Sequence, residues 1–131
     1  MIQPQVGPIH LAVNGTLMRG LALNKNLLDV GAQFVREAKT APIYRLWTIN
    51  DVHPAMIRNA KGGAEISLEI WALSAEAIAT VLMQEPPGLC VGRLSLSDSR
   101  EVLGVLGEPF LCEDQLEITQ FGGWREYMAS L

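Results

Sequence analysis

Between the glycine pair Gly62-Gly63 and the proline pair Pro86-Pro87 the chain encodes one strand and then one helix, and no other segment restricts the fold as tightly. From 65 to 72 the residues alternate. Ile66, Leu68 and Ile70 fall on one face, and Glu65, Ser67, Glu69 and Trp71 fall on the other. A period of two is the period of a strand, so the spacing predicts a β-strand here. Ser74 follows as a helix N-cap, and Glu76 falls in the first turn, where the helix dipole favours a negative charge. Ile78, Val81 and Leu82 recur at helical spacing and form the apolar stripe. Pro86-Pro87 cannot continue a helix and stops it. Such a strand and helix need partner strands and a shared core, and the rest of the chain supplies them.

Residues 9–13 form a short apolar run that ends at Asn14-Gly15, which reads as a strand followed by a loop. Leu23, Leu27, Leu28 and Val30 predict a short helix, with Asn24 or Asn26 as start signals and Gly31 near its end. After Pro42, residues 43–49 are aromatic and β-branched, which predicts a strand. Residues 51–54 read as a turn, and an extended piece starts at Met56. Residues 89–96 and 101–106 read as a strand pair joined by the polar turn Ser97-Asp98-Ser99. Gly122-Gly123 opens a short terminal helix through Tyr127. The sequence therefore predicts an α+β fold, a mixed curved sheet or partial barrel with a few short helices. All of residues 1–131 are expected in one domain, since no repeat, linker or low-complexity stretch divides them.

Composition removes several function classes. Apolar residues make up 49% of the chain and charged residues 18%, which is ample for a buried core and argues against native disorder. Ten basic and fourteen acidic side chains leave a net charge of −4 with no basic run, so a nucleic-acid partner is not expected. No stretch of about 18 apolar residues spans a bilayer. The N-terminus has no secretory pattern, so a cytoplasmic protein is expected, with Cys90 and Cys112 reduced and mostly buried. Two histidines, His10 and His53, give no ligand spacing, so neither a metal nor a cofactor is expected.

Two segments and one side chain are chemical candidates. In Asn14-Gly15-Thr16-Leu17-Met18-Arg19-Gly20, a glycine directly after a strand lets the backbone turn and present N–H groups to a carboxylate or a developing oxyanion. The plain alternative is that Gly15 and Gly20 only permit a turn. Glu85 ends the predicted helix, where a partly buried carboxyl gains a raised pKa suited to proton transfer; a solvated helix-end glutamate is the other reading. His53 is a further acid–base candidate.

The order of the segment from Asn14 to Leu17 resembles the tyrosine-glycine-serine-leucine loop of gamma-glutamylcyclotransferase-like proteins. Gly15 and Leu17 match it, Thr16 is a conservative change, and Asn14 stands where the tyrosine would be. Val81-Leu82-Met83-Gln84-Glu85 is similar to that group's approach to its acid–base glutamate. A nearly end-to-end resemblance joins the chain to the C-terminal domain of allophanate hydrolases. It is carried by Gly20-Leu21-Ala22-Leu23-Asn24, Thr40-Ala41-Pro42-Ile43-Tyr44-Arg45-Leu46, Glu69-Ile70-Trp71-Ala72-Leu73, Pro87-Gly88-Leu89 and Ile118-Thr119-Gln120-Phe121-Gly122-Gly123-Trp124-Arg125.

The resemblance implies the gamma-glutamylcyclotransferase-like fold. It also implies a small enzyme acting on an amide-, urea- or carbamate-like metabolite, by cyclotransfer or by decarboxylation. Glu85 would be the catalytic acid–base, and Asn14, Gly15, Thr16 and Leu17 would bind substrate. Arg19 is a candidate substrate-binding residue on separate grounds, as an arginine in the same loop that could clamp a carboxylate. A small-molecule substrate, an amidase subunit and a homodimer are the partner expectations. A non-catalytic module that binds a ligand or assists an amidase is the alternative.

Overall fold

The computed structural model describes residues 8–131. Residues 1–7, the start of the stretch read for a leader, lie outside them. The strands are β1 (Ile9–Val13), β2 (Gln33–Lys39), β3 (Tyr44–Ile49), β4 (His53–Arg58), β5 (Ser67–Leu73), β6 (Leu89–Ser95) and β7 (Glu101–Gly107). The helices are α1 (Asn24–Asp29), α2 (Ala75–Met83) and α3 (Trp124–Ala129), with 3-10 turns at Pro109–Cys112 and Thr119–Phe121.

The alternating segment is β5, and it is central. Five strands run in the order β2-β5-β1-β7-β6, antiparallel except for the parallel pair β1–β7, while β3 and β4 form a separate hairpin. Strand β5 has a hydrogen-bonded neighbour on each edge, and both its faces are also covered. Leu68 and Ile70 are buried on one face, and Glu69 and Trp71 on the other. The polar face read from the alternation is therefore an interior face as well. One strand, β2, went unread between the predicted α1 and Pro42. It is an edge strand with mostly exposed side chains, so it carries no apolar period to detect.

The sheet curls until its two outer strands touch. Thr40, just past β2, bridges Leu96, just past β6. Ala41 N donates to Ser95 O at 2.9 Å, and Ser97 N donates to Lys39 O at 2.9 Å. Elsewhere the ladder stays open, so the result is a curved sheet and not a closed barrel. The hairpin packs onto it, with Ala55 of β4 seated against Gly107 of β7, where an added Cβ would lie 2.8 Å from the Ala55 Cβ. Tyr44, Leu46, Met56, Ile66, Leu68, Ile70 and Leu94 form the heart of the core.

Helix α2 follows the sequence closely. Ser74 Oγ accepts from Ala77 N at 3.1 Å, Ile78 and Val81 are buried, and the helix ends at Met83 with Gln84 as its C-cap. The β3–β4 turn lies at Asn50 to Val52, so His53 opens β4 and does not sit in a turn. Cys90 and Cys112 are free thiols, half-buried where deeper burial was expected. Among the described residues no helix is long and apolar enough to cross a membrane.

Candidate active site

The loop after β1 is rooted by Asn14. Its side chain is buried, and Nδ2 donates to Val105 O at 2.9 Å with Met56 Sδ at 3.9 Å. This amide therefore ties the loop to β7 and β4, where the resembling proteins carry an aromatic wall. Beyond Asn14 the backbone carbonyls are committed. Gly15 O accepts from Met18 N at 3.0 Å, Thr16 O from Leu23 N at 2.9 Å, and Leu17 O from Asn24 Nδ2 at 2.8 Å. Asn24, expected as a helix start signal, thus serves as a brace for the loop. The N–H groups of Gly15, Thr16 and Leu17 have no acceptor among the described residues. The loop keeps its donors free while using its acceptors.

Gly15 also lies against β4. A Cβ there would stand 2.5 Å from Pro54 Cδ, inside any van der Waals contact, so the position accepts no side chain without displacing the loop or the proline ring.

Glu85 sits two residues past α2, with its N–H donating to Leu82 O at 3.1 Å. It shares one cleft, of about 250 Å3, with Asn14, Gly15, Thr16 and Leu17. Glu85 Oε2 is fully buried and has no hydrogen-bond partner. Burial without compensation disfavours the charged form and pushes the carboxyl up to about 7. His53 and Pro54 line the same cleft. His53, buried and read from the sequence as part of a turn, is brought here by the register of the β3–β4 hairpin. Asn50-Asp51 was the signal for a tight hairpin turn, which would have started β4 at His53.

Arg19 goes elsewhere. Its N–H and its Nε donate to the two oxygens of Glu69, at 2.9 Å and 3.1 Å, and Nη2 reaches Glu37 at 2.8 Å. Trp71 Nε1 and Arg125 Nη2 complete the set around Glu69, at 3.1 Å and 3.2 Å. Burial alone would raise the Glu69 pKa, but these hydrogen bonds outweigh it and hold the carboxylate below its ordinary range. Glu69 and Arg125 line a second, more open cleft of about 720 Å3 beside Met18, β2 and α3. The structure therefore gathers Asn14, Gly15, Thr16 and Leu17 at Glu85, and leaves Arg19 outside that cleft.

Burial raises both thiol pKa values, that of Cys112 to about 11, which leaves each protonated at neutral pH. No three His, Cys, Asp or Glu residues among the described ones are grouped to hold a metal.

The family model for the allophanate hydrolase C-terminal domain matches residues 9–129. The chain belongs to that family. A crystal structure of a protein described as specific to uropathogenic E. coli is 52% identical, with a TM-score of 0.92 over 95% of this chain and 98% of that one. The allophanate hydrolase of Kluyveromyces lactis is 26% identical, with a TM-score of 0.88 over 94% of this chain and 21% of that enzyme. The urea amidolyase of Saccharomyces cerevisiae is 26% identical and is matched across 100% of this chain. This chain spans only 8% and 7% of the lengths of the two curated urea amidolyases it matches. An aig2-like protein from Mus musculus, 18% identical with a TM-score of 0.58, shares the fold, which is gamma-glutamylcyclotransferase-like.

Proposed function

We propose that this member of the allophanate hydrolase C-terminal domain family is a small-molecule enzyme for an amide-, urea- or carbamate-like substrate. One observation carries the reading. The unpartnered, desolvated Glu85 carboxyl lines the same cleft as the loop whose amides at Gly15, Thr16 and Leu17 are free to donate. Fixed N–H donors suit a carbonyl or carboxylate whose charge grows during reaction, since they need not reorganise. A carboxyl that ionises near neutral pH is present in both forms, so it can give a proton and take one back.

The substrate's carboxylate or carbonyl end rests on the loop, and Glu85 serves its nitrogen. Protonation of that nitrogen by Glu85 drives decarboxylation of an N-carboxy group. Removal of a proton from an attacking amine, with its return to the leaving nitrogen, drives amide cyclisation. Arg19 contributes by pinning the loop to Glu69. The two free thiols fit a reducing, cytoplasmic setting.

Turnover by Glu85→Gln protein tests this on an N-carboxylated carbamate and on a gamma-glutamyl amide. Loss of about 100-fold or more on one of them is the expected outcome. Full activity on every substrate the wild type accepts would remove Glu85 from the mechanism.

A second reading has its own support. In the urea amidolyases and the K. lactis allophanate hydrolase the matched stretch is a small part of a longer chain. A module that assists a separate amidase subunit would form a stable complex with it in a pull-down and show no turnover alone. A homodimer would show as a doubled mass in sedimentation.

A further inference from the structure

We propose that His53 is the second proton carrier of the Glu85 cleft, exchanging protons through Nε2. This rests on the acid–base reading of Glu85 and adds the group that resets it after each turnover.

The hairpin that carries His53 fixes its place. Asn50 and Asp51, at φ 54° and 58°, make the turn in the left-handed region that asparagine and aspartate tolerate. The Asp51 carboxylate accepts from Thr48 Oγ1 at 2.9 Å and from Tyr127 OH at 2.7 Å, which ties the turn to its own strand and to α3. In this register Ile49 pairs with His53, and His53 is only 7% exposed. The next residue, Pro54, rests directly on Gly15 of the loop.

The tautomer follows from one contact. His53 Nδ1 lies 3.0 Å from Pro54 O. A carbonyl oxygen only accepts, so Nδ1 carries the hydrogen and Nε2 keeps a lone pair. No partner for Nε2 occurs among the described residues. Apart from Glu85 and His53, the side chains lining the cleft are uncharged, so these two groups are the proton-handling pair available there.

Decarboxylation shows what the pair accomplishes. The C–N bond breaks, its electron pair stays on nitrogen and takes the Glu85 proton, and the carboxylate departs as carbon dioxide. An N-carboxylate and Glu85 as the acid thus become the free amine, carbon dioxide and the Glu85 carboxylate. Oε2 is buried and faces no hydrogen-bond partner, and in this proposal the proton that restores the carboxyl arrives through the cleft that His53 also lines. Imidazolium at His53 hands over the Nε2 proton and recovers one from solvent, which closes the cycle with one proton consumed.

The chain has two histidines, so its imidazole Hε1 signals in proton NMR are two, and His10→Gln assigns them. On pH titration of the full chain, the His53 signal is expected to report the ionisation of Glu85 as an inflection that Glu85→Gln removes, with His10 unaffected. Superimposable His53 curves in wild type and Glu85→Gln would overturn the proposal without any substrate. In turnover, His53→Asn keeps a side-chain donor for Pro54 O and is expected to lower kcat about 100-fold and to remove one limb of the pH profile. An unchanged kcat and pH profile in His53→Asn, beside an inactive Glu85→Gln, would remove His53 and leave the Glu85 reading standing. An active Glu85→Gln would instead remove that reading.

Discussion

Two carboxylates in this molecule are buried to opposite effect. Glu69 meets four donors and is held ionised, whereas Glu85 meets none at Oε2 and is pushed toward neutrality. The difference fixes the sign of each group's pH dependence. In the unfolded chain Glu85 gives up its proton near 4.5, while in the fold it keeps it until about 7. Between those values the folded state binds the extra proton, so stability falls as pH rises through that window. Glu85→Gln, an isostere that never ionises, is expected to flatten this slope and to be more stable than wild type at pH 8 by roughly 1–3 kcal/mol. Thermal unfolding at pH 5 and pH 8 checks it, and parallel curves for the two proteins would contradict the burial of Glu85. Glu69 runs the other way. Its contribution is present above the ordinary carboxylate range and is lost as pH falls through its lowered folded value. Glu69→Gln leaves the half-exposed Arg19 and Arg125 facing an amide, at an expected cost of about 1–3 kcal/mol in urea denaturation.

At the scale of elements, the loop after β1 and the β3–β4 hairpin act as one unit because Gly15 and Pro54 are in contact. Gly15→Ala places a methyl group inside Pro54, and overpacking of this kind costs about 1–3 kcal/mol. The strain falls on the loop carrying the free N–H groups, so a drop in kcat/KM larger than the stability loss explains is expected. Circular dichroism melts beside turnover separate the two effects. Of these elements the sequence showed the loop, α2 and the β6–β7 pair with good accuracy, because Asn14-Gly15, Ser74 and the Ser97-Asp98-Ser99 turn are strong local signals. It did not show β2, whose exposed edge has no apolar rhythm. Nor did it show that β4 begins at His53, because residues 51–54 read as the turn that Asn50 to Val52 make.

For the whole molecule the decisive feature is the contact between the outer strands. A sheet whose edges meet at Thr40 and Leu96 has to curl, and the curl brings β1, β4, β7 and the end of α2 around one cleft. The amides of Ala41 and Ser97, which bond across that meeting point, are expected to resist hydrogen exchange as strongly as those of β5. Exchange at loop-like rates there would mean that the sheet opens and that the cleft is not preformed.

Local chemistry determined most of the secondary structure. Periods of two and 3.6, a serine cap, a proline stop and the glycine turns depend on neighbours along the chain, and residues 65–87 alone declare a strand and a helix. The pattern of residues also carried the family, which the match across residues 9–129 establishes. Only the tertiary structure decided that Glu85 is desolvated, that Arg19 turns to Glu69, and that His53 faces the cleft. Those outcomes depend on which groups lie close in space and on how much water remains between them. The side chains concerned come from segments far apart along the chain, 50 residues in the case of Arg19 and Glu69, and no local pattern encodes that separation.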